Sequence, residues 1–304
     1  MPSSPTEKTE PWTIQRLLNW TKGHLAAKGV GEPRLATEVL LAQALGCRRI
    51  DLYARFDRVP EPGQLDVFRD LVKRAAGHTP ISYLVGRKEF YSLEFEVSPA
   101  VLIPRPETEL LVQQAIETVR GWDRPDCHLL DLCTGSGCIA IALLKNLPTV
   151  RALATDVSAD ALAIAARNAA AHGVDERLTL VEADRLVLPG DAVPAQGFDL
   201  IACNPPYVAV GEMATLDANV RDHEPHLALT DGSDGLSFYR LLAEESAALL
   251  QPEGALLLEV ADGGAEAVRE IFAAHPTWRH TGTWRDAVAG HERVLRYALV
   301  GAPG

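Results

Sequence analysis

The tetrapeptide Asn204-Pro205-Pro206-Tyr207 is the most chemically specific pattern in the chain. Two consecutive prolines fix the backbone and remove two N–H donors, so nearby carbonyl oxygens stand out as rigid hydrogen-bond acceptors. Asn204 adds a side-chain carbonyl, and Tyr207 offers a flat aromatic face. A planar amide NH2 is a poor nucleophile because its lone pair is delocalised. Two acceptors that grip its two hydrogens can aim the nitrogen at an electrophilic carbon, and positioning of this kind lowers a barrier by roughly 7–11 kcal/mol when the geometry is near attack. The competing reading of an Asn-Pro sequence is a stiffened turn with an Asx cap. Asn204, Pro205 and Tyr207 are the candidate catalytic residues, and Asn204, Pro205, Pro206 and Tyr207 are the candidate substrate-binding residues.

A second pattern, Asp131-Leu132-Cys133-Thr134-Gly135-Ser136-Gly137, falls where an apolar run ends and a helical period begins. Glycines there let the backbone turn sharply and approach a ligand at the carboxyl edge of an open α/β sheet. Gly135 to Ala140 also fits the dinucleotide pattern G-x-G-x-x-A, and Asp156 could hold the ribose hydroxyls of either cofactor type. A glycine turn that binds nothing is the third reading. Two residues favour S-adenosylmethionine over a nicotinamide. The Asp131 carboxylate would repel a pyrophosphate but attract the ammonium of a methionine moiety. Asp184 is placed to accept a hydrogen bond from an exocyclic amine such as that of adenine, unless it caps a helix.

These motifs need a parallel sheet beneath them, and the pattern after Pro106 supplies one by alternating strands and helices. Strands are expected at 128–132, 152–155, 178–181, 198–203 and 255–260. Helices are expected at 138–147, 160–172, 238–250 and 265–274, with an antiparallel pair near 278–284 and 294–300 closing the sheet. Before it, the period is helical. Ile14, Leu17, Leu18 and Leu25 share one face. Pro33 opens a second helix that Gly46 stops, and Leu65, Phe68, Leu71, Val72 and Ala75 form a third face closed by Gly77. Phe90, Phe95 and Val97 around Ser92-Leu93 predict a short hairpin. The expected division is a disordered tail at 1–10, a helical domain at 11–85, a hairpin linker at 86–105 and a catalytic domain at 106–304.

The formal charge of −12 works against binding a phosphate backbone, so nucleic acid is not an expected direct partner. No apolar run approaches the roughly 20 residues that span a bilayer, and the first residues lack a signal pattern, so a cytoplasmic protein with no membrane partner is expected. The five cysteines are odd in number and contain no Cys-x-x-Cys pair, which reads as buried free thiols. No His, Cys and carboxylate spacing points to a metal. A monomer is the expected state.

The two motifs together resemble the class I, Rossmann-like methyltransferases that modify planar nitrogens in nucleic acids and glutamine side chains. Three further segments narrow the resemblance: Leu102-Ile103-Pro104-Arg105-Pro106-Glu107-Thr108-Glu109, Tyr83-Leu84-Val85-Gly86 leading to Phe90, and Val220-Arg221-Asp222-His223-Glu224-Pro225. With these the chain is similar over nearly its whole length to the peptide chain release factor glutamine methyltransferases, the HemK or PrmC family. The resemblance implies an α/β fold with a mostly parallel sheet, an antiparallel last strand, a small N-terminal helical bundle and a linking hairpin. It implies that Cys133, Thr134, Gly135, Ser136 and Gly137, with Asp131, wrap the methionine part of S-adenosylmethionine, that Asp156 binds the ribose, and that Asp184 and Arg185 flank the adenine. Asn204 serves cofactor and substrate together. The implied substrate is the glutamine of the Gly-Gly-Gln loop of release factors, docked with help from the helical domain, and the product cofactor is S-adenosylhomocysteine.

Three departures stand out. Cys133 replaces the more usual glycine, as in sister enzymes that methylate a ribosomal-protein glutamine, which keeps that substrate open. Arg185 stands where an aromatic residue is often found. Asp286 to Arg293 is one residue longer than the usual terminal Asp, Gly and Arg pattern. Arg105, Glu107 and Glu109 either position ligands or simply mark a charged helix start. His223 and Glu224 either line the substrate channel or belong to a solvated loop.

Overall fold

A computed structural model of the chain describes residues 11–122, 124, 126–287 and 289–301, so the tail expected at 1–10 lies outside the described residues. The chain divides into two compact units that meet between Gly86 and Arg87.

The first unit is helical: α1 (Ile14–Ala27), α2 (Pro33–Leu45), α3 (Arg49–Tyr53), α4 (Pro62–Ala76) and α5 (Ile81–Val85). Thr13 Oγ1 caps α1 by accepting from the Arg16 N–H at 3.3 Å, Pro33 opens α2, and Gly46 ends it in the left-handed conformation that glycine tolerates best. Ile14, Leu17, Leu25, Leu40, Leu41, Phe68, Leu71 and Val72 form the core, while Leu18 is only half-buried. The short helices α3 and α5 were not legible in the apolar period, because five residues make less than two turns.

The second unit opens with the antiparallel strands β1 (Arg87–Phe90) and β2 (Leu93–Glu96). Their turn is Tyr91-Ser92, both left-handed (φ 50° and 59°), one residue earlier than the sequence predicts. A two-residue hairpin turn needs positive φ at both positions, and tyrosine and serine do not advertise that as Asn-Gly would. Phe90 and Phe95 pack edge to face, 6.0 Å apart, in the core of the second unit. The segment expected as a linker is therefore part of that unit.

The remaining elements are α6 (Thr108–Arg120), β3 (His128–Leu132), α7 (Cys138–Asn146), β4 (Arg151–Asp156), α8 (Ala159–His172), β5 (Leu178–Glu182), β6 (Phe198–Cys203), α9 (Ala218–Arg221), α10 (Ser237–Glu245), β7 (Leu250–Glu259), α11 (Ala265–Ala273), β8 (Trp278–Arg285) and β9 (Glu292–Leu299). Strand order is β5-β4-β3-β6-β7-β9-β8. The first five are parallel, and β9 runs antiparallel to both its neighbours. One sheet face packs on α6, α7 and α8 and the other on α10 and α11, so central strands such as β6 are buried along their whole length. The helix expected to run to residue 250 ends at Glu245; a short 3₁₀ turn follows, and Leu250 already pairs with Phe198 across a bulge. Pro252 and Gly254 lie within the strand. Among the described residues no helix is long and apolar enough to cross a membrane.

This topology fixes the site. The strand order reverses between β3 and β6, and an open α/β sheet receives its ligand at the carboxyl edge of such a switch point. The ends of those two strands carry Asp131 to Gly137 and Asn204 to Tyr207.

Candidate active site

A cavity of about 330 Å³ opens at that edge, within the size range of small-molecule sites. Its wall includes Cys133, Thr134, Gly135 and Ser136 after β3, Asp156 at the end of β4, Asp184 and Arg185 after β5, and Asn204 and Pro206 after β6. The fold thus brings both motifs into one cavity. Asp131, Gly137, Pro205 and Tyr207 lie beside it, next in sequence to residues of the wall.

The loop after β3 is shaped by three left-handed residues, Cys133 (φ 60°), Gly135 (φ 54°) and Gly137 (φ 80°). At Gly137 a Cβ would stand 2.9 Å from Ile141 Cδ1 and 3.2 Å from Ala165 Cβ, so glycine is required by space as well as by φ. Cys133 adopts a left-handed conformation that suits glycine best. Asp131 lies fully buried under the loop, where its Oδ2 accepts from Thr134 Oγ1 (2.6 Å) and the Ala140 N–H (3.1 Å). Its Oδ1 and the Ser136 Oγ have no hydrogen-bond partner although both are buried. Burial raises the Asp131 pKa to about 7, against the hydrogen bonds that lower it. Such unmet polar atoms beside a glycine loop fit a ligand that brings an ammonium or other polar group.

Asp156 is likewise raised by burial, and it accepts from the Gly135 N–H (2.9 Å) and the Ser158 N–H (3.0 Å). Asp184 forms an exposed ion pair with Arg185 at 3.3 Å. Its carbonyl closes a turn with Val187, so it caps no helix.

On the other side, Asn204 Nδ2 donates to Thr108 Oγ1 at 3.3 Å. Pro205 is buried and Tyr207 half-buried, and burial pushes the Tyr207 hydroxyl above its ordinary range. The backbone beyond is clamped. Val208 N–H donates to Leu229 O (2.8 Å) and Val210 N–H to Ser233 O (2.9 Å). Asp231 holds the facing loop through the N–H groups of Ser233, Gly235 and Ser237 and the Ser237 hydroxyl. A Cβ at Gly235 (φ 78°) would come within 2.3 Å of the Tyr207 carbonyl oxygen.

Comparison with known proteins shows the family. The PrmC N-terminal domain model matches residues 16–86, and the methyltransferase small domain model matches residues 107–228. A release factor glutamine methyltransferase of Geobacter sulfurreducens is 44% identical over 88% of this chain and 91% of its own, and one of Rhodopirellula baltica is 41% identical over 95% and 97%. The chain belongs to the release factor glutamine methyltransferase family. A solved methyltransferase from Pyrococcus furiosus, 20% identical and covering 69% of this chain and 90% of its own with a TM-score of 0.50, shares the fold.

The structure resolves the alternatives left open at Glu224, Arg105 and Glu109, and brings in Asn168 and Glu259, which the sequence did not single out. Glu224 belongs to no solvated loop. Its carboxylate is fully buried, accepting from Arg105 Nη2 (2.6 Å) and the Ile103 N–H (3.1 Å), and so it ties the segment before α6 to the segment after the acceptor motif. Arg105 also lines the cavity. Glu109 accepts from the Tyr91 N–H (2.8 Å) and braces the hairpin instead. Asn168 of α8, 2% exposed, accepts from the Glu96 N–H (2.7 Å) and donates to Glu96 O (3.1 Å) and Ser136 O (2.9 Å). It fastens the glycine loop to β2 and leaves none of its own polar atoms idle. Glu259 at the end of β7 is buried, with a pKa raised by burial to about 7. Its only sequence signal was an acidic residue closing an otherwise apolar strand.

Proposed function

We propose that the protein transfers a methyl group from S-adenosylmethionine to the side-chain amide nitrogen of the glutamine in the Gly-Gly-Gln loop of peptide chain release factors. The observation that carries this is the orientation of Asn204. Its NH2 is committed to Thr108, which leaves its carbonyl to accept from an incoming amide beside the glycine-loop cavity.

In this reading Thr134 to Gly137 with Cys133 wrap the methionine moiety, and Asp131 Oδ1 with Ser136 Oγ supply the polar partners for it. Asp156 takes the ribose, and Asp184 with Arg185 borders the adenine. S-adenosylmethionine supplies an electrophilic methyl on a sulfonium, and S-adenosylhomocysteine is released. The chain's own part is positioning. Asn204 Oδ1 and a carbonyl of the proline-fixed turn at Pro205 accept the two amide hydrogens, and Tyr207 presents its ring toward the planar group. The amide proton is lost to water after the methyl arrives, so no general base is needed beforehand. The helical domain at 11–85 docks the release factor, and the catalytic domain works as a monomer in the cytoplasm, where translation factors act.

Incubation with methyl-labelled S-adenosylmethionine and a release factor tests the reading. Label enters wild-type factor and not one whose loop glutamine is replaced. Label that ignores the replacement, or that appears in a ribosomal protein or an RNA instead, defeats it.

A further inference from the structure

β9 places Arg296 between Leu257 of β7 and Gly282 of β8, on the sheet face that packs against α6. Gly282 is needed there, because a Cβ on it would collide with the six-membered ring of Trp284. The Arg296 guanidinium stands 5.4 Å from the centre of the Trp284 ring, over its face. Its Nε and Nη1 donate to the hydroxyls of Thr281 (3.0 Å) and Thr118 (3.3 Å), and Nη2 donates to Thr281 O (3.4 Å). All of these partners are neutral. Among the described residues no carboxylate pairs with Arg296, and burial opposes its charge. The guanidinium opens on a second cavity, of about 820 Å³, which shares no lining residue with the first. Gln114, one turn before Thr118 on α6, lines it too. That residue is 5% exposed, and among the described residues its side-chain amide has no hydrogen-bond partner. Arg124, Arg279 and Arg296 stand in the wall against Glu117 and Glu253, a positive balance in a chain whose formal charge is −12. Both acids are engaged elsewhere: Glu117 accepts from Gln113 (2.9 Å), and Glu253 pairs with Arg124.

We propose that this cavity is a second ligand site, for a small organic oxyanion. Arg296 has two donors left over from the threonines, and a carboxylate or phosphate takes them. A polar group elsewhere in the same molecule bonds the Gln114 amide, which otherwise stays buried at a cost in free energy. Trp284 and the two threonines hold the guanidinium in place before the ligand arrives. The volume suits an organic molecule better than a bare ion. The site is separate from methyl transfer, since neither Arg296 nor Gln114 lines the cofactor cavity.

Three matched probes test it: N-acetyl-aspartate amide, N-acetyl-phosphoserine amide and the neutral N-acetyl-asparagine amide. Each is titrated into protein saturated with S-adenosylhomocysteine, so that the cofactor cavity is filled. Calorimetry gives the affinity, and the indole N–H NMR signal of Trp284 gives the place. At least one anion binds saturably and moves the Trp284 signal, while the neutral probe does neither, and the tighter anion tells carboxylate from phosphate. Arg296→Gln weakens that binding about tenfold, the scale of one charge-assisted hydrogen bond, and Gln114→Leu weakens it several-fold, while kcat for methyl transfer stays within about twofold. Should Arg296→Gln lack a cooperative melt, Gln114→Leu and the neutral probe decide. Three results overturn the proposal: no saturable binding of either anion at millimolar concentrations, equal binding of the neutral probe, or an affinity indifferent to the substitutions. Arg296 is then only a strut between α6 and the bulged strand β8.

Discussion

The two halves of the cavity are built on opposite principles. The loop after β3 bends through left-handed residues at 133, 135 and 137 and leaves the buried Asp131 Oδ1 and Ser136 Oγ unmet. The turn after β6 is stiffened by two prolines and clamped by the Asp231 loop, and its Asn204 amide nitrogen already has a partner. In the proposed reading one half is finished by the donor that binds to it, and the other is finished beforehand. This division suits group transfer, because the donor brings its own charge and polar groups, whereas an unreactive amide must meet acceptors that cost no reorganisation when it arrives.

The contrast makes mutations fall into two classes, those that move donor affinity and those that move the transfer step. The largest effect is expected at Gly235→Ala. A Cβ there would collide with the Tyr207 carbonyl at positive φ, costing about 3 kcal/mol in urea unfolding and abolishing transfer. Asn204→Ala follows, with kcat lower by roughly a hundredfold and little change in melting temperature, on the scale of losing one preorganised polar contact. If Asn204→Ala instead lost only donor affinity, the two halves would not be separate in function. Asn168→Ala, on the donor side, should cost about 2 kcal/mol of stability because Glu96 and Ser136 lose buried partners. Its weakened affinity for S-adenosylhomocysteine by calorimetry, at near-normal kcat, marks it as a donor-side residue.

The last effect is a dependence on pH. Asp131 and Glu259 ionise near pH 7 in the fold, but near pH 4 in the unfolded chain. Their folded values are raised, so the stability they contribute is complete below about pH 4 and is lost as pH rises through about 7. Urea unfolding between these values should therefore show falling stability, with a shallower slope in Asp131→Asn. An ammonium binding at Asp131 favours the carboxylate, so S-adenosylhomocysteine should release part of a proton at pH 7, visible when calorimetry is repeated in buffers of different ionisation enthalpy. No proton release would mean that Asp131 does not meet the ammonium.

Much of this was legible in the residues, and for a reason. Strands β3 and β6 are continuous apolar runs ended by glycine or proline signals, so their bounds match what the sequence predicts. The glycine loop and Asn204 to Tyr207 stood out in the sequence because their patterns are local. What stayed hidden depends on distant partners. Glu224 reads as a loop carboxylate until Arg105, far away in sequence, is folded against it. Thr108 and Asn168 look like ordinary helix residues, since nothing nearby announces a buried partner. The early start of β7 was hidden because Pro252 and Gly254 imitate a turn, while the pairing of Leu250 with Phe198 overrides them.

The most direct test of the two-sided site is a crystal structure with S-adenosylhomocysteine and a release-factor peptide containing the loop glutamine. The glutamine amide is expected to lie between the cofactor sulfur and Tyr207, with its hydrogens on Asn204 Oδ1 and a carbonyl of the proline turn and the Asn204 nitrogen still on Thr108. A glutamine bound with its amide outside the reach of Asn204, or an Asn204 carbonyl turned away from the cavity, would contradict it.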